Sequence, residues 1–105
     1  MVTYQDRVTE VQLGDRVTMR IWFRKHGGRV VYIPGVSPVN PTMERDGLSW
    51  VGVRLEEGGF VSTLVDPRDG YLRGRLKFVG RDPKGVVELK PEEDPQGDDS
   101  FAAPF

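Results

Sequence analysis

The sequence predicts an all-β fold. Residues 1–90 read as a small antiparallel barrel of five to seven strands, OB-like or SH3-like, and residues 91–105 as a flexible acidic tail. Three observations carry this. Thirteen glycines and eight prolines interrupt every stretch in which a long helix could form. Alanine, the best helix former, occurs only at 102 and 103, while Val, Thr and the aromatics dominate the rest. Apolar and polar residues also alternate with period two, in short segments bounded by turn signals. The ninety residues ahead of the tail are few for two packed sheets, which favours a barrel.

Residues 2–11 form a weakly patterned first strand, ended by the turn Leu13-Gly14-Asp15. Segment 16–24 alternates most clearly. Val17, Met19, Ile21 and Phe23 share one face; Arg16, Thr18, Arg20, Trp22 and Arg24 share the other. Lys25-His26-Gly27-Gly28 then reads as a hairpin turn, because glycine takes the positive φ that such turns need. Residues 29–33 return as the partner strand and Pro34 ends it. The connection to Gly47 contains Pro34, Pro38 and Pro41, and its length marks either a functional loop or a rigid cover.

Residues 48–55 and 60–65 form a second hairpin around Glu56-Glu57-Gly58-Gly59. Both faces are apolar near 48–51, which places Trp50 in a core. Asp66-Pro67-Arg68-Asp69-Gly70 is a turn, with the aspartates as its caps. A long strand follows at 71–81, bent at Gly74 and Gly80. After the turn Asp82-Pro83-Lys84-Gly85, residues 86–89 close the domain.

Chemistry-bearing patterns are few. The chain has no cysteine, which removes disulfides and thiolate metal sites and fits a reducing, cytoplasmic compartment. No apolar run is long enough for a membrane span, and the N-terminus lacks the basic and apolar regions of a signal peptide. The single histidine, His26, falls in a predicted turn, without the orienting partner and shielding that a general base needs. Neither a nucleophile elbow nor a glycine-rich phosphate loop is present. The expectation is a non-enzymatic binding protein with no cofactor and no metal.

Charge is segregated. Glu92, Glu93, Asp94, Asp98 and Asp99 all lie beyond Pro91, where no Lys or Arg occurs. Of 15 basic and 16 acidic residues, the first 91 positions therefore hold 15 and 11, a net of +4, and the tail carries −5. Two outward rows combine cations with aromatic rings: Arg20, Trp22 and Arg24 on one strand, and Tyr71, Arg73, Arg75 and Lys77 on another. Single-stranded nucleic acid is held by this combination, cations on the phosphates and rings on the bases. These seven residues are the candidate nucleic-acid site. The competing expectation is a protein-interaction module, such as an adaptor, a complex subunit or a small inhibitor or immunity-type protein.

The tail ends Asp98-Asp99-Ser100-Phe101-Ala102-Ala103-Pro104-Phe105, an apolar tip on an acidic tether. Acids upstream of a terminal Pro-Phe pair resemble the C-terminal tip of bacterial single-stranded DNA-binding proteins. The resemblance implies an OB-fold body that holds single-stranded DNA and a tip that docks on replication and repair enzymes. It assigns Asp98 and Asp99 to the acidic part and Pro104 and Phe105 to the terminal pair; Phe101, in the four residues that separate them here and not in the family, joins the partner-binding tip on its apolar character alone. The alternative is that Phe101 and Phe105 fold back on this protein's own body or on a second copy.

Overall fold

In a computed structural model, β1 spans Asp15–Ile21 and β2 spans Arg24–Tyr32, antiparallel, with Ile21 and Arg24 as their last pair. The structure describes residues 2–21, 23–74, 76–82 and 84–93, and the backbone of 102–104. Only positions 22 and 23 join the two strands. The hairpin therefore turns before Lys25-His26-Gly27-Gly28, which lie inside β2. So short a connection requires positive φ, and Phe23 supplies it at 74°. Phe23 leaves the core face that alternation assigned to it and is 96% exposed.

The glycine pair has another use. A β-carbon at Gly28 would lie 2.7 Å from Val53 Cγ1 and 2.8 Å from the Arg54 carbonyl oxygen. Gly28 is there so that two strands can approach, which selects glycine as strongly as a turn does.

The remaining strands are β3 (Glu44–Arg45), β4 (Leu48–Leu55), β5 (Phe60–Leu64), β6 (Lys77–Arg81) and β7 (Ala102–Pro104). Their order across the sheet is β6-β1-β2-β4-β5-β7, with β3 paired to β4 off this path. Neighbours are antiparallel except β5 and β7, which run parallel. The sheet is open. This overturns the predicted OB-like or SH3-like barrel, since β6 and β7 end the order and do not pair. The predicted strand 71–81 explains why. It breaks: Tyr71 and Leu72 make only isolated bridges, to Thr3 and Val65. Leu76 N–H then donates back to the Gly74 carbonyl at 3.0 Å, and this sharp bend carries the chain away from β5 to the far side of β1.

Three further expectations change. Residues 2–11 are an arm rather than a strand, folded on itself at the Thr3–Glu10 bridge and tied to the crossing segment at Thr3–Tyr71. Residues 86–89 form no strand, although Leu89 N–H donates to the Val31 carbonyl at 2.9 Å. The tail, expected to be a flexible tether with folding back of its tip as the alternative, contributes β7.

The sheet has two unlike faces. Alternation sends Val17, Met19 and Ile21 of β1, Val51, Val53 and Leu55 of β4, and Val61 of β5 to one side. There they join Val2, Tyr4 and Val11 of the arm and Leu72 and Leu76 of the crossing segment in the main core. On the other side a smaller cluster of Val31, Tyr32, Met43, Phe60 and Leu89 covers the β2-β4-β5 half, with Trp50 packed against it. The 34–47 connection is the lid of this cluster. Fully buried Asn40 donates to the carbonyls of Lys90 and Glu93 at 2.8 and 2.9 Å, which ties that loop to the C-terminal segment. Among the described residues no helix is long and apolar enough to cross a membrane.

A candidate anion-binding face

Directly opposed residues of an antiparallel pair project to the same face. The registers can therefore be read straight across the sheet. Gly80 of β6 opposes Arg16 of β1, Arg16 opposes Arg29 of β2, Arg29 opposes Arg54 of β4, and Arg54 opposes Phe60 of β5. Three arginines thus stand side by side, about 4.8 Å per strand step. One turn of the pleat away, Arg20 opposes Lys25 and Thr18 opposes both Gly27 and Lys77. The face opposite the main core carries Arg16, Arg20, Lys25, Arg29, Arg54 and Lys77.

Like charges set directly opposite one another destabilise a sheet. A face that is merely solvated has no reason to repeat that arrangement, and here it occurs three times: Arg16–Arg29, Arg29–Arg54 and Arg20–Lys25. Two of the cations are partly compensated. Arg29 donates to the Asp82 and Lys84 carbonyls at 3.1 and 3.2 Å and lies 3.4 Å from the Asp82 carboxylate, which pins the 82–84 turn. Arg54 pairs with Glu93 at 2.9 Å and lies over the Phe60 ring at 5.9 Å. Arg16, Arg20, Lys25 and Lys77 have no acidic partner within 4.0 Å among the described residues. Arg29 and Arg54 line a groove of about 340 Å³ together with Val31, Leu55, Glu56 and, from the C-terminal segment, Val86 and Val87.

The two predicted rows meet only in part. Arg20 and Lys77 share this face. Arg24 is exposed at the hairpin, opposite Ile21. Tyr71 and Arg73 lie on the crossing segment instead. Tyr71 is half-buried beneath the Arg7 guanidinium, 4.3 Å from its ring centroid. Arg73 sits near Asp66, whose carboxyl is held below the usual range chiefly by the backbone N–H groups of Asp69 and Arg68, with Arg73 adding to it. Trp22, Arg75, Asp98, Asp99, Phe101 and Phe105 lie outside the described residues. Pro104 opposes Ser62 in the β7–β5 pairing.

Sequence reasoning missed Arg29, Arg54 and Lys25 as site residues, and it left Arg16 out although it shares a strand face with Arg20. Nothing local marks them. Lys25 and Arg29 share β2 with Arg24, Arg16 shares β1 with Arg20, and Arg54 is the one cation of β4; register assembles them into a row. Comparison with protein-family models, with curated proteins and with solved structures finds no match. No family supplies a function. The site must be read from its chemistry.

Other polar groups have structural partners. His26 Nδ1 lies 3.0 Å from Glu57 Oε1. Tyr32 donates to the Glu44 carboxylate, and burial followed by that hydrogen bond pushes its hydroxyl up to about 12, so it stays protonated at neutral pH.

Proposed function

We propose that this chain is a non-enzymatic binding protein, and that its arginine face holds a single strand of nucleic acid. The opposed row Arg16–Arg29–Arg54 carries the reading. A cationic track that costs the free protein stability is offset when phosphates intercalate between its charges. The groove alongside, whose valines and Leu55 lie among Arg29, Arg54 and Glu56, offers bases a partly apolar surface. The absence of cysteine fits a cytoplasmic setting, where we place the protein.

Binding of a fluorescent single-stranded oligonucleotide is the test. Affinity should fall with salt, log K against log salt having a slope of about −0.7 per phosphate contacted. Arg16→Glu combined with Lys25→Glu is expected to weaken binding about tenfold or more, whereas Arg68→Glu, on the 66–70 turn, is expected to leave it unchanged. No binding at low salt would sink the reading.

The tail acts on the same row. Glu93 is ion-paired to Arg54, and Ala102 opposes Phe60, which itself opposes Arg54. Glu93 therefore lies on the row and Ala102 two strands from Arg54, and Asp94, Asp98 and Asp99 fall between these two positions in the sequence. We read the tail as a tethered competitor for the phosphate track, and its tip as free to recruit a protein partner only after leaving β5. Prolines cannot donate to a strand ladder. The full-length double variant Ala102→Pro, Ala103→Pro keeps every charge, and it is expected to bind the oligonucleotide about fivefold more tightly, the lower end of ordinary coupling between sites. Unchanged affinity would limit the tail to a passive role.

A further inference from the structure

We infer that Phe23 is a base-stacking element, so that the ligand of the arginine face presents unpaired bases. This rests on reading that face as a phosphate track. Two independent observations converge on the residue. Its φ of 74° lies in the left-handed region, where a β-carbon crowds the backbone and glycine is the natural occupant of a two-residue hairpin. Its ring is 96% exposed, the highest value among the exposed large hydrophobics of the described residues. A strained backbone that holds an aromatic ring in water contributes nothing to folding, and such strain concentrates where a side chain is presented to a partner.

The surroundings identify the partner's chemistry. Arg20, Arg24 and Lys25 are exposed on the strand ends that flank this turn and have no acidic partner within 4.0 Å among the described residues. A π-face beside cations suits a base and its phosphates. The same combination meets an anionic membrane, but a membrane would engage the hairpin end alone. Here the cations continue along β1 from Arg20 to Arg16, roughly 13 Å at the rise of a strand, and then across the sheet to Arg54. That track fits a linear polyanion whose bases reach the tip. A duplex would have to be unstacked at a cost of a few kcal/mol per step to meet the ring, so unpaired bases are the better fit.

Full-length Phe23→Gly separates these roles because stability and binding should move in opposite directions. Relief of the left-handed strain is expected to raise Tm by about 2–5 °C. Affinity for an oligothymidylate should fall about tenfold, the scale of one lost stacked base, while affinity for inorganic polyphosphate stays the same. Phe23→Leu, apolar but without a π-face, should lose oligonucleotide affinity to a similar degree, and Phe23→Trp should retain it. A lowered Tm in Phe23→Gly would show that the ring is structural and overturn the inference, as would unchanged oligonucleotide affinity. A loss confined to phosphatidylserine vesicles would assign the tip to a membrane surface and overturn it too. Polyphosphate binding with no Phe23 effect would leave the phosphate track standing, whereas a wild-type chain that binds no polyanion would remove the track itself.

Discussion

Asp15→Ala is expected to destabilise the fold by about 3 kcal/mol, from a total that for domains of this size is on the order of 5–15 kcal/mol. Asp15 begins β1 and is fully buried. Its carboxylate accepts from the Tyr4 hydroxyl at 2.7 Å, the Gln12 N–H at 3.0 Å, and Arg81 Nε and Nη2 at 2.9 and 3.3 Å. One side chain thus joins the N-terminal arm, β1 and the edge strand β6. Truncation would leave the buried Tyr4 hydroxyl without an acceptor, which costs about 1–3 kcal/mol, and would free the part-buried Gln12 N–H at a smaller cost. Arg81 is partly exposed and can turn to water, so its share is smaller.

Burial first, and then the bond to Asp15, holds the Tyr4 hydroxyl far above its ordinary range, so Tyr4 remains a neutral donor at any pH of interest. Urea unfolding should show the loss as a lower midpoint with an unchanged slope. Asp15→Asn should be less damaging than alanine, since it fills the volume and keeps one acceptor, yet it presents an amide to donors. A change below about 1 kcal/mol in the alanine variant would mean that the arm and β6 are held by packing instead.

Gly28→Ala should be comparably severe, about 3 kcal/mol at the upper end of overpacking. The added methyl meets Val53 and, within 2.8 Å, the carbonyl oxygen of Arg54. A side chain can rotate away, but backbone in a central strand cannot, so β2 and β4 must separate. Because Arg29 and Arg54 stand on those strands in the next pair of the register, the arginine row should widen as well. Gly80→Ala is the control. A β-carbon there meets nothing within 4 Å, and the change is expected to be neutral within about 0.5 kcal/mol. Equal thermal denaturation of the two variants would show that the β2–β4 approach tolerates a methyl.

The contrast between these glycines shows how far local pattern reaches. Alternation correctly sorts Val17, Met19 and Ile21 from Arg16, Thr18 and Arg20, because the side of a strand on which a residue falls depends only on its neighbours in sequence. The Glu56–Gly59 and Asp66–Gly70 turns are legible for the same reason: Leu55 N–H donates to the Gly59 carbonyl, and Asp66 accepts from Arg68 and Asp69. Gly27-Gly28 misleads because both a hairpin turn and a close strand contact select glycine. Only the partner strand distinguishes them, and here β4 claims Gly28 while the turn comes before it, between Ile21 and Arg24.

Strand composition, the basic body, the acidic tail and the inward and outward faces of β1 and β4 were determined by the sequence itself, since each is a local or additive property. Whether the sheet closed, where Phe23 pointed, which cations stood opposite one another, and where the tip of the tail paired were decided by tertiary structure. Register and strand order depend on contacts between residues far apart in the chain, and no period along one strand encodes which residue will face it across the next.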